Sequence, residues 1–291
     1  MSIAQVEVST TASVTEPRSR FRWLPERWYV HLFLWVVFLI VGFPLYYAVL
    51  VSTQTNAQVY SYQFTPGGSL AQNWNIVMNI SNLGSYMLNS VFVSLAVTFG
   101  KVVLSLLAGL AFVYFRFPGK WIVFGFVLLT LMMPTEILVI ALFRFVSDIG
   151  LANTYAALIL PFLASATGVF LFRQHFMNIP AELSEAAQLD GANPFQFLWR
   201  VLVPMSWNTI AALAVIQFIY VWNMYLWPVL IIQGQEKQVV QVGLTSLSGG
   251  DIGTSYGPLM LGAVIASIPP LVVFLVLQKR FLSGFALTRD K

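Results

Sequence analysis

The stretch Glu185-Ala186-Ala187-Gln188-Leu189-Asp190-Gly191-Ala192, running on through Asn193-Pro194 to Pro204, is a charged, helix-forming segment in a chain that is otherwise almost wholly apolar. Of 291 residues, 58% are hydrophobic and 9% charged, and 24 are Phe. That is too little polar surface to cover a soluble globule of this size. The chain therefore reads as an all-α integral membrane protein, and the charged stretch reads as a loop held outside the lipid.

Working outward from that loop, six segments are apolar over about the 20 helical residues that a hydrocarbon core requires. They fall near 30–51, 86–114, 121–146, 156–176, 208–232 and 259–279. Lipid offers no partner for an unpaired backbone group, and none of these runs alternates as a barrel strand does, so the spans are read as helices. The expected organisation is an N-terminal tail at 1–28, a six-helix transmembrane domain at 29–281 and a C-terminal tail at 282–291. The loop at 178–204 then joins spans four and five.

Basic residues set the orientation. With the N-terminus in the cytoplasm, the inside segments carry Arg18, Arg20, Arg22, Arg27, Arg116, Lys120, Arg173, Arg200, Lys279, Arg280, Arg289 and Lys291, whereas the outside loops carry Arg144 and Lys237. The positive-inside rule then places both termini and the 178–204 loop in the cytoplasm. The first span is too long for a signal peptide, and no small-residue cleavage site follows it. The charge of +4 reflects this topology, and no aromatic-interleaved basic patch points to nucleic acid.

Several chemistries are absent from the sequence. Gly100-Lys101 is followed by Val and lies within a span, so the chain has no phosphate-binding loop, and any ATP hydrolysis must belong to another polypeptide. His31 and His175 have no carboxylate at ligand spacing, which argues against a metal site. There is no Cys, and no Ser-His-Asp set or carboxylate pair suggests a catalytic centre. The chain is expected to be no enzyme.

Within the loop, Asn178 can cap a helix that has Pro180 in its first turn and runs to about Leu189, where Gly191 supplies the left-handed residue that ends it. A second short helix can start at Asn193-Pro194 and stop at Pro204. Two short helices with a glycine elbow make a protruding knob. Asp190, in the last turn of the first helix, opposes the helix dipole at a cost of up to about 1 kcal/mol, which invites a basic partner.

The second span carries a polar stripe. Ser90, Ser94, Thr98, Lys101 and Ser105 follow one another at helical spacing, so one face of that helix should turn toward protein or water. Lys101 lies near mid-membrane, where an unpaired charge costs about 2.5–3.5 kcal/mol or more. Two readings stay open: an ion pair with Glu136, at similar depth on the third span, or attraction of an anionic substrate. Asn223 lies in the aromatic run Tyr220 to Pro228 and needs a hydrogen-bond partner, either in packing or in a pathway. Pro134, Pro228 and Pro269-Pro270 are expected to interrupt the third, fifth and sixth helices.

Glu185, Ala186, Ala187, Asp190, Gly191, Ala192 and Pro204 together resemble the cytoplasmic coupling motif of permease subunits of ATP-driven (ABC) importers. Leu198, Val201 and Val203 stand where Phe, Ile and Leu are usual, an exchange of apolar for apolar. Nearly the whole chain after residue 28 is similar to permeases of the maltose-type carbohydrate importer family. The segments Leu171-Phe172-Arg173-Gln174, Thr98-Phe99-Gly100-Lys101, Phe115-Arg116-Phe117-Pro118 and Tyr220 to Pro228 are most similar to the branch that serves sn-glycerol-3-phosphate. This resemblance implies a bacterial cytoplasmic-membrane complex with a second, different permease, a cytoplasmic ATPase homodimer that binds ATP and Mg, and an extracytoplasmic binding protein; this chain itself would hold no cofactor. It implies sn-glycerol-3-phosphate or a glycerophosphodiester as cargo, with Glu185 to Ala192 and Pro204 coupling to the ATPase. Ser94, Thr98, Lys101, Glu136 and Asn223 are the candidate pathway residues, and the outside loop near 52–85 is placed to meet the binding protein. Two alternatives remain: an importer of the same kind for a neutral sugar or disaccharide, and a secondary transporter without an ATPase.

Overall fold

A chain in lipid must satisfy every backbone group within its own segment, and every regular element among the described residues is helical. The computed structural model describes residues 28–133, 135–249 and 254–285, with backbone only for Thr135, Glu136 and 283–285. Of the two expected tails, residues 1–27 and 286–291 lie outside the described residues, while 282–285 continue α15. The helices are α1 (Trp28–Val51), α2 (Asn56–Tyr60), α3 (Leu70–Asn75), α4 (Leu83–Tyr114), α5 (Lys120–Leu131), α6 (Thr135–Asp148), α7 (Tyr155–Ile159), α8 (Ala166–Met177), α9 (Ala181–Leu189), α10 (Pro194–Phe197), α11 (Val203–Met205), α12 (Trp207–Trp222), α13 (Leu226–Ile231), α14 (Val240–Ser248) and α15 (Tyr256–Phe285).

Three of these, α1, α4 and α15, are each long and apolar enough to cross a bilayer. Two further candidates are bent: residues 155–162 with α8, at 42°, and residues 194–205 with α12, at 80°. The structure thus gives three to five candidate spans where the sequence led to six. The expected third span, 121–146, is divided into α5 and α6, and Pro134 in the gap lies outside the described residues. The fifth, 208–232, breaks at Asn223–Tyr225, just before Pro228. Pro269 and Pro270 do not interrupt the sixth as expected, because both lie inside the continuous α15. Helix α12 packs along α15, and such packing lets a helix tolerate the hydrogen bonds that proline removes.

Among the described residues, the part of α1 from Trp28 to Tyr46 forms one unit, in which Trp35 and Phe38 meet edge-on at 5.6 Å. From Tyr47 onward a second unit is organised around α4, which packs against α8 and α12. Helix α4 contributes to three buried clusters in turn. Leu83 joins Phe218, Trp222 and Leu261. Val93 and Val97 join Leu158, Val221 and Trp227. Leu106 and Leu110 join Phe172, Phe176, Phe197, Leu202 and Leu213. The segment between α1 and α4 is tied down by side-chain amides: Asn73 Nδ2 donates to Ser52 O at 2.9 Å and Gln54 Nε2 to Gln63 O and Thr65 O at 2.8 Å. Asn56 clamps it to the start of α15, donating to Thr254 O and accepting from Tyr256 N, both at 2.9 Å.

Packing between helices in lipid relies on close approach at small residues, because lipid tails are as apolar as the helix surfaces. Gly109 on α4 faces Phe172 and Phe176 of α8, and a Cβ there would come within 2.8 Å of Phe172 Cβ. Gly168 on α8 stands against Ser105 in the same way. Gly109→Val should therefore push α4 and α8 apart and destabilise the protein by about 1–3 kcal/mol, read as a lowered unfolding temperature of the detergent-solubilised chain.

Candidate functional site

The loop between α8 and α12 forms a knob built from two helix-terminal devices. Asn178 closes α8, donating from Nδ2 to Gln174 O at 2.9 Å, and Pro180 occupies the position before α9. This corrects the expected role of Asn178 as the cap of α9: its side chain reaches back to a free carbonyl at the end of α8. Helix α9 carries Glu185, Ala186 and Ala187, and Asp190 is its C-terminal cap. Gly191 follows at φ +72°. Its N–H donates to Gln188 O at 3.0 Å, and Ala192 N–H donates to Ala187 O at 2.9 Å. This is the paired 5→2 and 6→1 closure that requires a left-handed residue, and it explains why glycine follows Asp190. Asn193 then starts α10 with a reciprocal cap: Oδ1 accepts from Gln196 N at 2.8 Å, and Asn193 N donates to Gln196 Oε1 at 2.9 Å. That helical run ends at Met205, one residue past the expected Pro204. Helical backbone continues through a π turn at Leu198–Leu202 and through α11 to Met205, and the chain bends into α12 at Ser206.

The knob is anchored on one side and open on the other. Phe197, Leu198 and Leu202 are buried among the ends of α4, α8 and α12, and the Tyr114 and Phe197 rings meet edge-on at 5.1 Å. No residue of α9 is buried. Leu189 is 89% exposed, and Phe195 and Trp199 project as well. Among the described residues no ion pair engages Glu182, Glu185 or Asp190. Exposed leucine and aromatic side chains thus stand beside carboxylates that no ion pair among the described residues engages.

The polar stripe of α4 turns inward, as its spacing predicts. Ser90, Ser94, Thr98, Lys101 and Ser105 are all buried. Ser90 Oγ accepts from Val240 N at 2.8 Å, fixing the start of α14. Lys101, 6% exposed, donates from Nζ to Gln217 Oε1 at 2.6 Å and lies 5.0 Å from the centre of the Tyr220 ring. Gln217, itself buried on α12, is thus the acceptor that sequence reasoning missed. A lone glutamine within the apolar run Ile210 to Tyr220 was the available signal. The side chain of Glu136 lies outside the described residues.

Asn223 lies where α12 ends rather than inside a continuous span. Its Nδ2 donates to Ile219 O at 2.9 Å, and its Oδ1 accepts from Gln241 Nε2 at 3.1 Å. The amide pair ties the break in the fifth span to α14 and leaves Asn223 exposed beside the half-exposed Tyr220. Lys101, Gln217, Tyr220, Asn223 and Gln241 thus link a buried cation to an accessible polar surface. Gln217→Leu should strand the Lys101 ammonium and cost about 1–3 kcal/mol, whereas Gln217→Glu should retain stability; thermal unfolding of the two variants checks this.

Residues 101–285 match the family described as binding-protein-dependent transport system inner membrane component. The chain is 38% identical over 269 residues to the sn-glycerol-3-phosphate transport system permease protein UgpE of Brucella melitensis, covering 89% of this chain and 95% of that one. The protein of that name from Agrobacterium fabrum is 39% identical over the same shares, and the one from Yersinia pestis 38% identical over 88% and 94%. A solved bacterial ABC transporter that imports the acidic polysaccharide alginate superposes with a TM-score of 0.75 at 22% identity, covering 87% of this chain and 95% of that chain. From the matched stretch and the extent of the identity, the chain belongs to the inner-membrane components of binding-protein-dependent transport systems.

Proposed function

We propose that this chain forms half of the translocation pathway of an ATP-driven importer for sn-glycerol-3-phosphate or glycerophosphodiesters. The observation that carries the reading is the 37–39% identity, along nearly the whole length, to permeases named for sn-glycerol-3-phosphate transport. In this reading the domain at 29–281 crosses the membrane six times, with α5–α6 and α12–α13 as broken spans, and the termini and the 178–204 knob are cytoplasmic. The chain works with a second, different permease, a cytoplasmic ATPase homodimer that binds ATP and Mg, and an extracytoplasmic binding protein.

Glu185, Ala186, Ala187, Asp190, Gly191, Ala192 and Pro204 form the coupling surface. Three features support this: the exposed apolar and acidic face of α9, the tight glycine closure after Asp190, and the buried footing of Phe197, Leu198 and Leu202. A knob of this kind moves as one piece with whatever grips it. Closure of the ATPase dimer would shift α9, and the 80° bend before α12 would turn that shift into tilting of the spans. The pathway face is built from Tyr220, Asn223 and Gln241, with Ser94, Thr98 and Lys101 behind it; Glu136 belongs to the same set from α6. The polarity of this face suits a hydroxylated, anionic cargo.

Uptake of labelled sn-glycerol-3-phosphate by cells that lack and then regain the chain tests the cargo. Restoration, with competition by glycerophosphocholine but not by a disaccharide, is the expected outcome; ATP-dependent uptake of the sugar instead would overturn it. Charge reversal at Glu185 or Asp190, or Gly191→Val, should abolish uptake while leaving the protein in the membrane at its normal level. Normal uptake by these variants would remove the coupling role.

A further inference from the structure

The elbow between α4 and α5 holds a cavity of about 420 Å³, within the roughly 300–1,000 Å³ range of small-ligand sites. Arg116, Phe117, Lys120, Trp121 and Ile122 line it. It opens at the same end of α4 as the knob, because Tyr114 and Phe115, one turn away, border the knob's Ala187, Pro194 and Phe197. No carboxylate occurs in the sequence between Glu26 and Glu136, so neither α4 nor α5 carries a residue that would neutralise the two cations. Lys120 is already fixed in place: its Nζ donates to Phe115 O at 3.0 Å and to Val113 O at 3.5 Å, against the electronegative end of α4. Arg116 is exposed, and no hydrogen bond or ion pair among the described residues engages it.

The apolar rim indicates which kind of anion fits. Trp121 is 68% and Ile122 79% exposed, and Phe126 and Leu129 continue an exposed apolar stripe along α5 away from the cavity. Arg173 of α8 is buried beneath, 5.1 Å from the Trp121 ring centre and 4.3 Å from that of Phe124, so a third positive charge backs the aromatic wall. A free phosphate would use the cations and leave the stripe uncovered. A phospholipid would use both, placing its phosphate between Arg116 and Lys120 and an acyl chain along Ile122, Phe126 and Leu129. Tryptophan at the headgroup level and basic pockets at the membrane surface are the physical pattern of such recognition.

We infer that the α4–α5 elbow is a binding site for an anionic phospholipid, held by Arg116 and Lys120 at its phosphate and by the α5 stripe at its acyl chain. This assignment stands apart from the choice of transported cargo. The test places the full chain in phosphatidylcholine vesicles that contain a minor share of either dibrominated phosphatidylglycerol or dibrominated phosphatidylcholine. The reading is the part of tryptophan quenching lost in Trp121→Phe. The brominated phosphatidylglycerol should quench that part severalfold more than the brominated phosphatidylcholine, and Arg116→Gln should bring the two to equality without lowering the unfolding temperature. Equal quenching by both lipids in the unmodified chain, or an excess that survives Arg116→Gln, would overturn the site. Loss of the excess on adding millimolar inorganic phosphate or sn-glycerol-3-phosphate would reassign it to a soluble phosphate and overturn the lipid.

Discussion

The contact of α4 with α8 and α12 is the constraint on which the rest of the second unit depends. Lipid supplies no hydrophobic force to press helices together, so the contact must be made from shape. Gly109 and Gly168 remove the side chains that would hold α4 and α8 apart, and Phe172 and Phe176 lie across the seam so formed. Because α4 is long enough to reach all three buried clusters, fixing it against two neighbours orders the segment between α1 and α4 at one end, the polar interior in the middle and the knob at the other.

At the knob end, local chemistry and tertiary packing divide the work. The closure at Gly191 and the reciprocal cap at Asn193 shape the turn from residues adjacent in sequence. Neither would hold the turn at a fixed angle to the spans. That comes from Phe197, Leu198 and Leu202, buried between α4, α8 and α12. The result is a protrusion whose outward face leaves Leu189, Phe195 and Trp199 uncovered.

Among the described residues, the buried charge of the polar interior is met by neutral groups. The Lys101 ammonium is met by the Gln217 carbonyl oxygen and the face of Tyr220, an arrangement that lowers the cost of burial. Asn223 and Gln241 satisfy each other where the fifth span is broken. The break after α12 is thus matched by a side-chain amide from another helix, in keeping with what a membrane interior asks wherever backbone regularity is lost.

The membrane character, the helical class, the inward turn of the Ser90 to Ser105 stripe and the Asp190-Gly191 elbow were all legible in the sequence. Each depends on composition, on helical periodicity, or on backbone geometry that a single residue dictates. The Gln217 acceptor of Lys101 was not legible, since it is a neutral amide on a helix more than a hundred residues away. Nor could the sequence settle where helices break. Pro269-Pro270 passes inside an unbroken α15 supported by α12, while the fifth span yields at Asn223, where Gln241 stands ready to satisfy the exposed amide. A proline removes a hydrogen bond wherever it occurs, but whether the helix then bends depends on the neighbours packed against it, and those are decided by the tertiary structure alone.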